Sequence, residues 1–139
     1  MKTIIKNVKN TKSLEDGFSL LEMMVGILII GVLSVIAVPA YANYKQTSYD
    51  FATKGEAIAI GKTLATYQQF NTDRKPAQSL SEAKVFPSSN EINFVYKTDG
   101  ISWCLFASHE GAKEYKPSTP YIIYKGLPGA CPANIANLP

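Results

Sequence analysis

Residues 17–42 read GFSLLEMMVGILIIGVLSVIAVPAYA, and the rest of the chain is organised around them. The stretch is apolar almost throughout and carries one carboxylate, Glu22, close to its beginning. Residues 18–38 make a run of twenty-one, roughly 30 Å as a helix, which matches the hydrocarbon core of a bilayer. Met23, Met24, Ile27, Leu28, Ile30 and Leu33 leave no polar face. Such a helix needs an apolar surround on every side, in lipid or among other helices. An ionised acid is costly in that surround, so Glu22 calls for a partner, or else snorkels to the interface or is protonated. Gly26 and Gly31 each cost roughly 1 kcal/mol of helix stability relative to Ala. Pro39 cannot donate to the carbonyl of Val35 and crowds it, which marks a kink. Membrane-helix packing accounts for these three residues. So does a helix that bends or partly melts when it leaves lipid.

Upstream, residues 1–17 are polar and hold Lys2, Lys6, Lys9 and Lys12. The lysines keep the N-terminal side in the cytoplasm. A secretory signal would need a small-x-small cleavage site after the apolar run, and residues 38–40 and 40–42 offer weak ones. Glu22 inside the run and Gly17-Phe18 just before it argue against that reading. The combination of a short basic leader, a Gly-Phe junction, a Glu five residues further on and about twenty apolar residues resembles the processing site of type IV prepilins. The resemblance is strong over residues 17–45, weaker to residue 70, and architectural beyond.

That resemblance implies a structural filament subunit and not an enzyme. A membrane peptidase would cut Gly17–Phe18, where a glycine allows an extended backbone in a tight cleft, and would N-methylate Phe18. Glu22 would become the fifth residue of the mature chain and pair with the new amine of an incoming copy, a register check more than a source of net stability. Further implied partners are pilus assembly platform proteins, membrane lipid before assembly, and other copies of the chain afterwards. The implied location is the inner membrane, single-pass, then an extracellular filament serving adhesion, twitching motility or DNA uptake. A pseudopilin of a secretion or competence system is the near alternative. A signal-anchored exported binding domain is the alternative from another class.

Charge supports the division. The chain has 14 Lys+Arg and 11 Asp+Glu for a net +3, and the leader's four lysines against Glu15 and Asp16 account for two of the three. From Phe18 onward the chain is nearly neutral, with no electrostatic case for nucleic acid. Two cysteines in a domain placed outside the cytoplasm suggest one disulfide, Cys104–Cys131. Two unrelated buried thiols are the other reading of the pair. Closing a ring of about 28 residues would stabilise by roughly 3.5 kcal/mol in the loop-entropy account.

Beyond the apolar run, Ala57, Ile60, Leu64 and Tyr67 recur at helical spacing, and Tyr44, Phe51, Ile58 and Ala65 repeat every seven residues. They predict a wide amphipathic stripe packed on a sheet. Asn71, Thr72, Asp73 and then Pro76 end the helix. Counted from Phe18 it would run about 55 residues, on the order of 80 Å. That is too long for so small a chain to bury, so its first half must find a partner elsewhere. Ile92, Phe94 and Tyr96 alternate as a strand, Asp99-Gly100 marks a hairpin, and Ile101, Trp103, Leu105 and Ala107 alternate as the return strand. Residues 121–124 form a third strand, and residues 126–139 read as an irregular tail.

The expected fold is therefore α+β, the type IV pilin fold. A long N-terminal helix packs on an antiparallel sheet of about three or four strands, with a C-terminal loop closed by the disulfide. Its parts are a cleaved leader (1–17), a hydrophobic helix (18–41), an amphipathic helix (42–72), and a loop with sheet and disulfide loop (73–139). No cofactor or metal is implied, since the phosphate-binding loop, CxxC and HExxH patterns are missing. His109, the single histidine, reads as a solvated loop residue, as do Glu110 and Glu114.

Overall fold

A computed structural model describes residues 17–139. The leader, apart from Gly17, lies outside the described residues. In chain order the elements are α1 (Leu20–Phe70), β1 (Asn93–Thr98), β2 (Trp103–Ser108), β3 (Tyr121–Tyr124), β4 (Leu127–Pro128) and α2 (Ala133–Ala136). The chain divides into two units, Met1–Val38 and Pro39–Pro139. In the first, α1 from Leu20 onward is the only described element, and its large apolar side chains are exposed. The helix assignment runs through Pro39 without a gap.

In the second unit α1 buries Asp50, Thr53, Ala57, Ile60, Gly61 and Leu64. Spacings of three and four put these on one face. They join Trp103, Leu105, Ala107 and Ile123 in one core with Ala77, Ala83, Val85 and Ile92. The sheet is a four-stranded antiparallel meander in the order β1-β2-β3-β4. Alternate residues of β2 supply the helix-facing layer. Cys104 and Ser108 are buried as well, so both faces of this central strand are covered. The Trp103 indole N–H donates to Gln68 Oε1 at 3.0 Å, which meets the hydrogen-bonding need of the largest core side chain. Tyr96 donates to the carbonyl of Ala77 at 2.7 Å. Burial above all pushes this phenol up to about 12.

Helix and sheet approach closely at two glycines. A Cβ at Gly61 would lie 2.8 Å from Ile123 Cγ2. One at Gly126 would lie 2.7 Å from Ala65 Cβ. Gly126 also has φ +87° and follows Lys125 at φ 50°, the two left-handed positions of the type I′ turn that a two-residue hairpin favours.

Four sequence expectations change. Ile101 lies in the β1–β2 turn and is 77% exposed. The Asp99 carboxylate accepts the N–H groups of Ile101 (2.9 Å) and Ser102 (2.6 Å), and this local competition keeps both out of the ladder. Tyr44 and Phe51 are 73% and 70% exposed, so the seven-residue stripe packs only from Ile58 onward. The tail is not irregular throughout. It holds β4 and α2, anchored by Lys97 Nζ, which donates to the carbonyls of Ala136 and Leu138. His109, finally, is buried and not solvated.

Two measurements test this packing. Gly61→Val should cost about 1–3 kcal/mol, because the added atoms meet the stiff Ile123 side chain; denaturant unfolding by near-ultraviolet circular dichroism measures it. The backbone N–H groups of Ser102 and Ile101 hold the Asp99 carboxyl below its usual range. Their contribution is fully present above that usual range and is lost as the pH falls through the lower folded value. Amide protection in the β1–β2 turn should fall in that acid window, and Asp99→Ala should abolish this part of the response.

Candidate functional site

Gly17 and Phe18 precede α1 outside any regular element, and Phe18 is 82% exposed. Glu22 stands in the first turn of α1, where the partial positive charge of the helix N-terminus favours a carboxylate. Around it Ser19, Leu21 and Val25 line a shallow, mostly apolar depression. No ion pair among the described residues includes Glu22. An ionised carboxylate set in apolar surface is favoured by a nearby cation.

Behind it lies the apolar part of α1. The helix is long and apolar enough to cross a membrane, and its apolar window is exposed. At about 25 cal/mol per Å², leaving so much apolar surface in water is strongly unfavourable. This half of the helix is therefore built to be covered by something outside its own fold.

Cys104 and Cys131 are joined, with Cα atoms 5.9 Å apart. The bridge ties the segment before α2 to the central strand β2. It leaves no free cysteine among the described residues. Within those residues no group of three or more His, Cys, Asp or Glu is placed to hold a metal.

Two polar residues carry structure that the sequence reading missed. Asp50 is buried on α1 and accepts the N–H groups of Glu114 (2.9 Å) and Tyr115 (3.1 Å). It falls three residues before Thr53 on the same face as Ala57 and Ile60, so helical spacing could have found it; its charge argued the other way. Glu56 Oε1 accepts the N–H and hydroxyl of Ser88 and the N–H of Ser89, fastening the long loop to α1. Contrary to its reading as a solvated residue, His109 is 8% exposed. Its ring stacks on Tyr49 at 4.1 Å between centroids.

Comparisons with known proteins bear on the same N-terminal stretch. Residues 12–38 match the family described as the prokaryotic N-terminal methylation motif. The chain is 47% identical over 49 residues to the type IV major alpha-pilin of Moraxella bovis, covering 35% of this chain and 30% of that protein. Over 50 residues it is 44% identical to the type IV major fimbrial protein FimA of Dichelobacter nodosus, covering 36% and 30%. The chain thus matches less than a third of the length of these curated relatives. No solved structure matches it. The similarity is confined to the N-terminal stretch, while the apolar helix, four-stranded antiparallel sheet and disulfide fit the α+β fold of type IV pilins.

The disulfide gives a direct test of the head. Replacing Cys104 and Cys131 together by Ser should lower stability by roughly 3.5 kcal/mol, the loop-entropy value for a ring of this size. The readout is the unfolding midpoint of full-length protein in detergent against the same protein with the bridge intact.

Proposed function

We propose that this chain is a structural subunit that polymerises into type IV pilus filaments, after cleavage at Gly17–Phe18 and N-methylation of Phe18. One observation carries the reading. The methylation-motif segment continues directly into an apolar helix with none of its apolar window buried. A domain free in water has no use for such a surface, whereas lipid covers it before assembly and other copies cover it in a polymer core.

The order of events comes from the chemistry. Before assembly the helix lies in the inner membrane, with the lysine-rich leader in the cytoplasm. Removing the leader takes away four lysines and exposes an α-amine at Phe18. That amine is the cation for which Glu22 is set. Within one chain the two groups lie about a turn apart; between chains the amine of an incoming subunit reaches the Glu22 of one already placed. An unmatched carboxylate in an apolar surround is expensive, so a misregistered subunit is rejected. Prepilin peptidase and platform proteins are the partners this sequence of steps requires. Adhesion, twitching motility and DNA uptake are the activities such a filament serves.

Mass spectrometry of the mature N-terminus and electron microscopy of sheared cells test the proposal together. The expected N-terminus is N-methylated Phe18. Glu22→Ala should leave cleavage intact while surface filaments fall at least about tenfold, because leaving the incoming amine unpaired in an apolar surround costs more than the about 1.4 kcal/mol that a factor of ten represents. An N-terminus near Tyr41 or Asn43, or normal filaments from Glu22→Ala, would sink the reading.

A further inference from the structure

After β2 the chain turns back onto α1 through a single imidazole. His109 stacks on Tyr49 with 19° between the ring planes. Its Nδ1 accepts the N–H of Gly111 at 2.9 Å. The His109 N–H donates to the carbonyl of Tyr115 (2.9 Å), and the Ala112 N–H donates to that of His109 (3.2 Å). From α1, Asp50 holds the amides of Glu114 and Tyr115. Residues 109–115 thus form a clasp on two adjacent residues of the helix. There is little slack in it: a Cβ at Gly111 would lie 2.9 Å from Tyr49 Cε2 and 3.2 Å from His109 Cε1.

An Nδ1 that accepts a hydrogen bond carries no proton, so the neutral ring keeps its proton on Nε2. Nε2 lies 3.6 Å from Glu91 Oε2. The same tautomer leaves no lone pair on Nε2 for a metal. A second proton can enter only at Nδ1, where it meets the N–H of Gly111 head on.

We propose that residues 109–115 are an acid-sensitive clasp: protonating His109 at Nδ1 expels the Gly111 amide and loosens the loop from Tyr49 and Asp50 of α1. Glu91 lies before β1, and the loop itself carries Glu110, Lys113, Glu114 and Tyr115. On α1 are Tyr49, Asp50 and Lys45, the last 5.7 Å from the Tyr49 ring centroid. The Glu91 side chain is 74% exposed, and such pairs are weak. Neither Glu91 nor the Tyr49 ring offers Gly111 another acceptor, and a half-buried N–H left without one is costly. The clasp joins the far end of β2 to the helix, so its release frees the sheet at one end only. The inference does not depend on polymerisation.

Hydrogen exchange on the full chain in detergent micelles, corrected for the intrinsic rate at each pH, reads the clasp directly. Between about pH 7.5 and about pH 5, where imidazoles take up a proton, protection at Gly111, Glu114 and Tyr115 should fall roughly tenfold, the order expected for one lost hydrogen bond. His109→Gln cannot titrate and should show no such fall. Unchanged protection in the wild type overturns the proposal. An equal fall in His109→Gln also overturns it and assigns the response to Glu91, Glu110, Glu114 or Asp50. If that variant does not fold, ring-nitrogen resonances of the wild type decide. An Nε2–H tautomer at neutral pH, titrating together with the loss of Gly111 protection, supports the clasp. An Nδ1–H tautomer at neutral pH, or titration without that loss, removes it.

Discussion

The contact between the small residues of α1 and the sheet is the interaction on which the head depends. Ala57 and Gly61 are short enough to bring helix backbone and strand together, and Ile60 and Leu64 fill the space on either side. Because Ile123 sits where a Cβ of Gly61 would be, the position of β3 is set by the absence of a side chain. The register of β2 is set in turn, since Leu105 pairs with Ile123 and both are fully buried. Once β2 is placed, Cys104 and Trp103 fall on opposite faces. One supports the disulfide and the other the core.

Polar contacts finish what packing begins. Asp50, Glu56 and Gln68 lie along α1, and each binds a different loop: residues 114–115, residues 88–89, and the β1–β2 turn through the Ile101 carbonyl. Each satisfies N–H or C=O groups that irregular chain would otherwise leave without partners near a buried surface. A single helix thus serves as scaffold for both sheet and loops. This is why the helix continues well past the apolar stretch.

Much of this was legible in order of locality. The apolar run, the Gly-Phe junction and Glu22 lie within a few residues of one another, so the chemistry of that stretch needs no tertiary context. The alternation in β1 and the Asp-Gly turn are also local signals. The burial of Asp50 and of His109 is not legible locally, because burial of a polar residue depends on partners distant in sequence. Glu114 and Tyr115 lie 64 and 65 residues from Asp50, and Tyr49 lies 60 from His109. The exposed Tyr44 and Phe51 show the reverse case, an apolar pattern with no partner inside this fold. β4 and α2 escaped notice because two and four residues are too few to show a period. Lys97, the disulfide and the Lys125-Gly126 turn hold them in place.

The two margins of the sheet are both blunted. β4 is two residues long and ends in Pro128, which has no N–H to offer a neighbouring strand. On the opposite margin, Lys97 reaches from β1 to the carbonyls of Ala136 and Leu138, so the C-terminal turn covers part of that edge. With one margin truncated and the other partly covered, the sheet offers little edge to another strand, and it contributes shape without contributing stickiness.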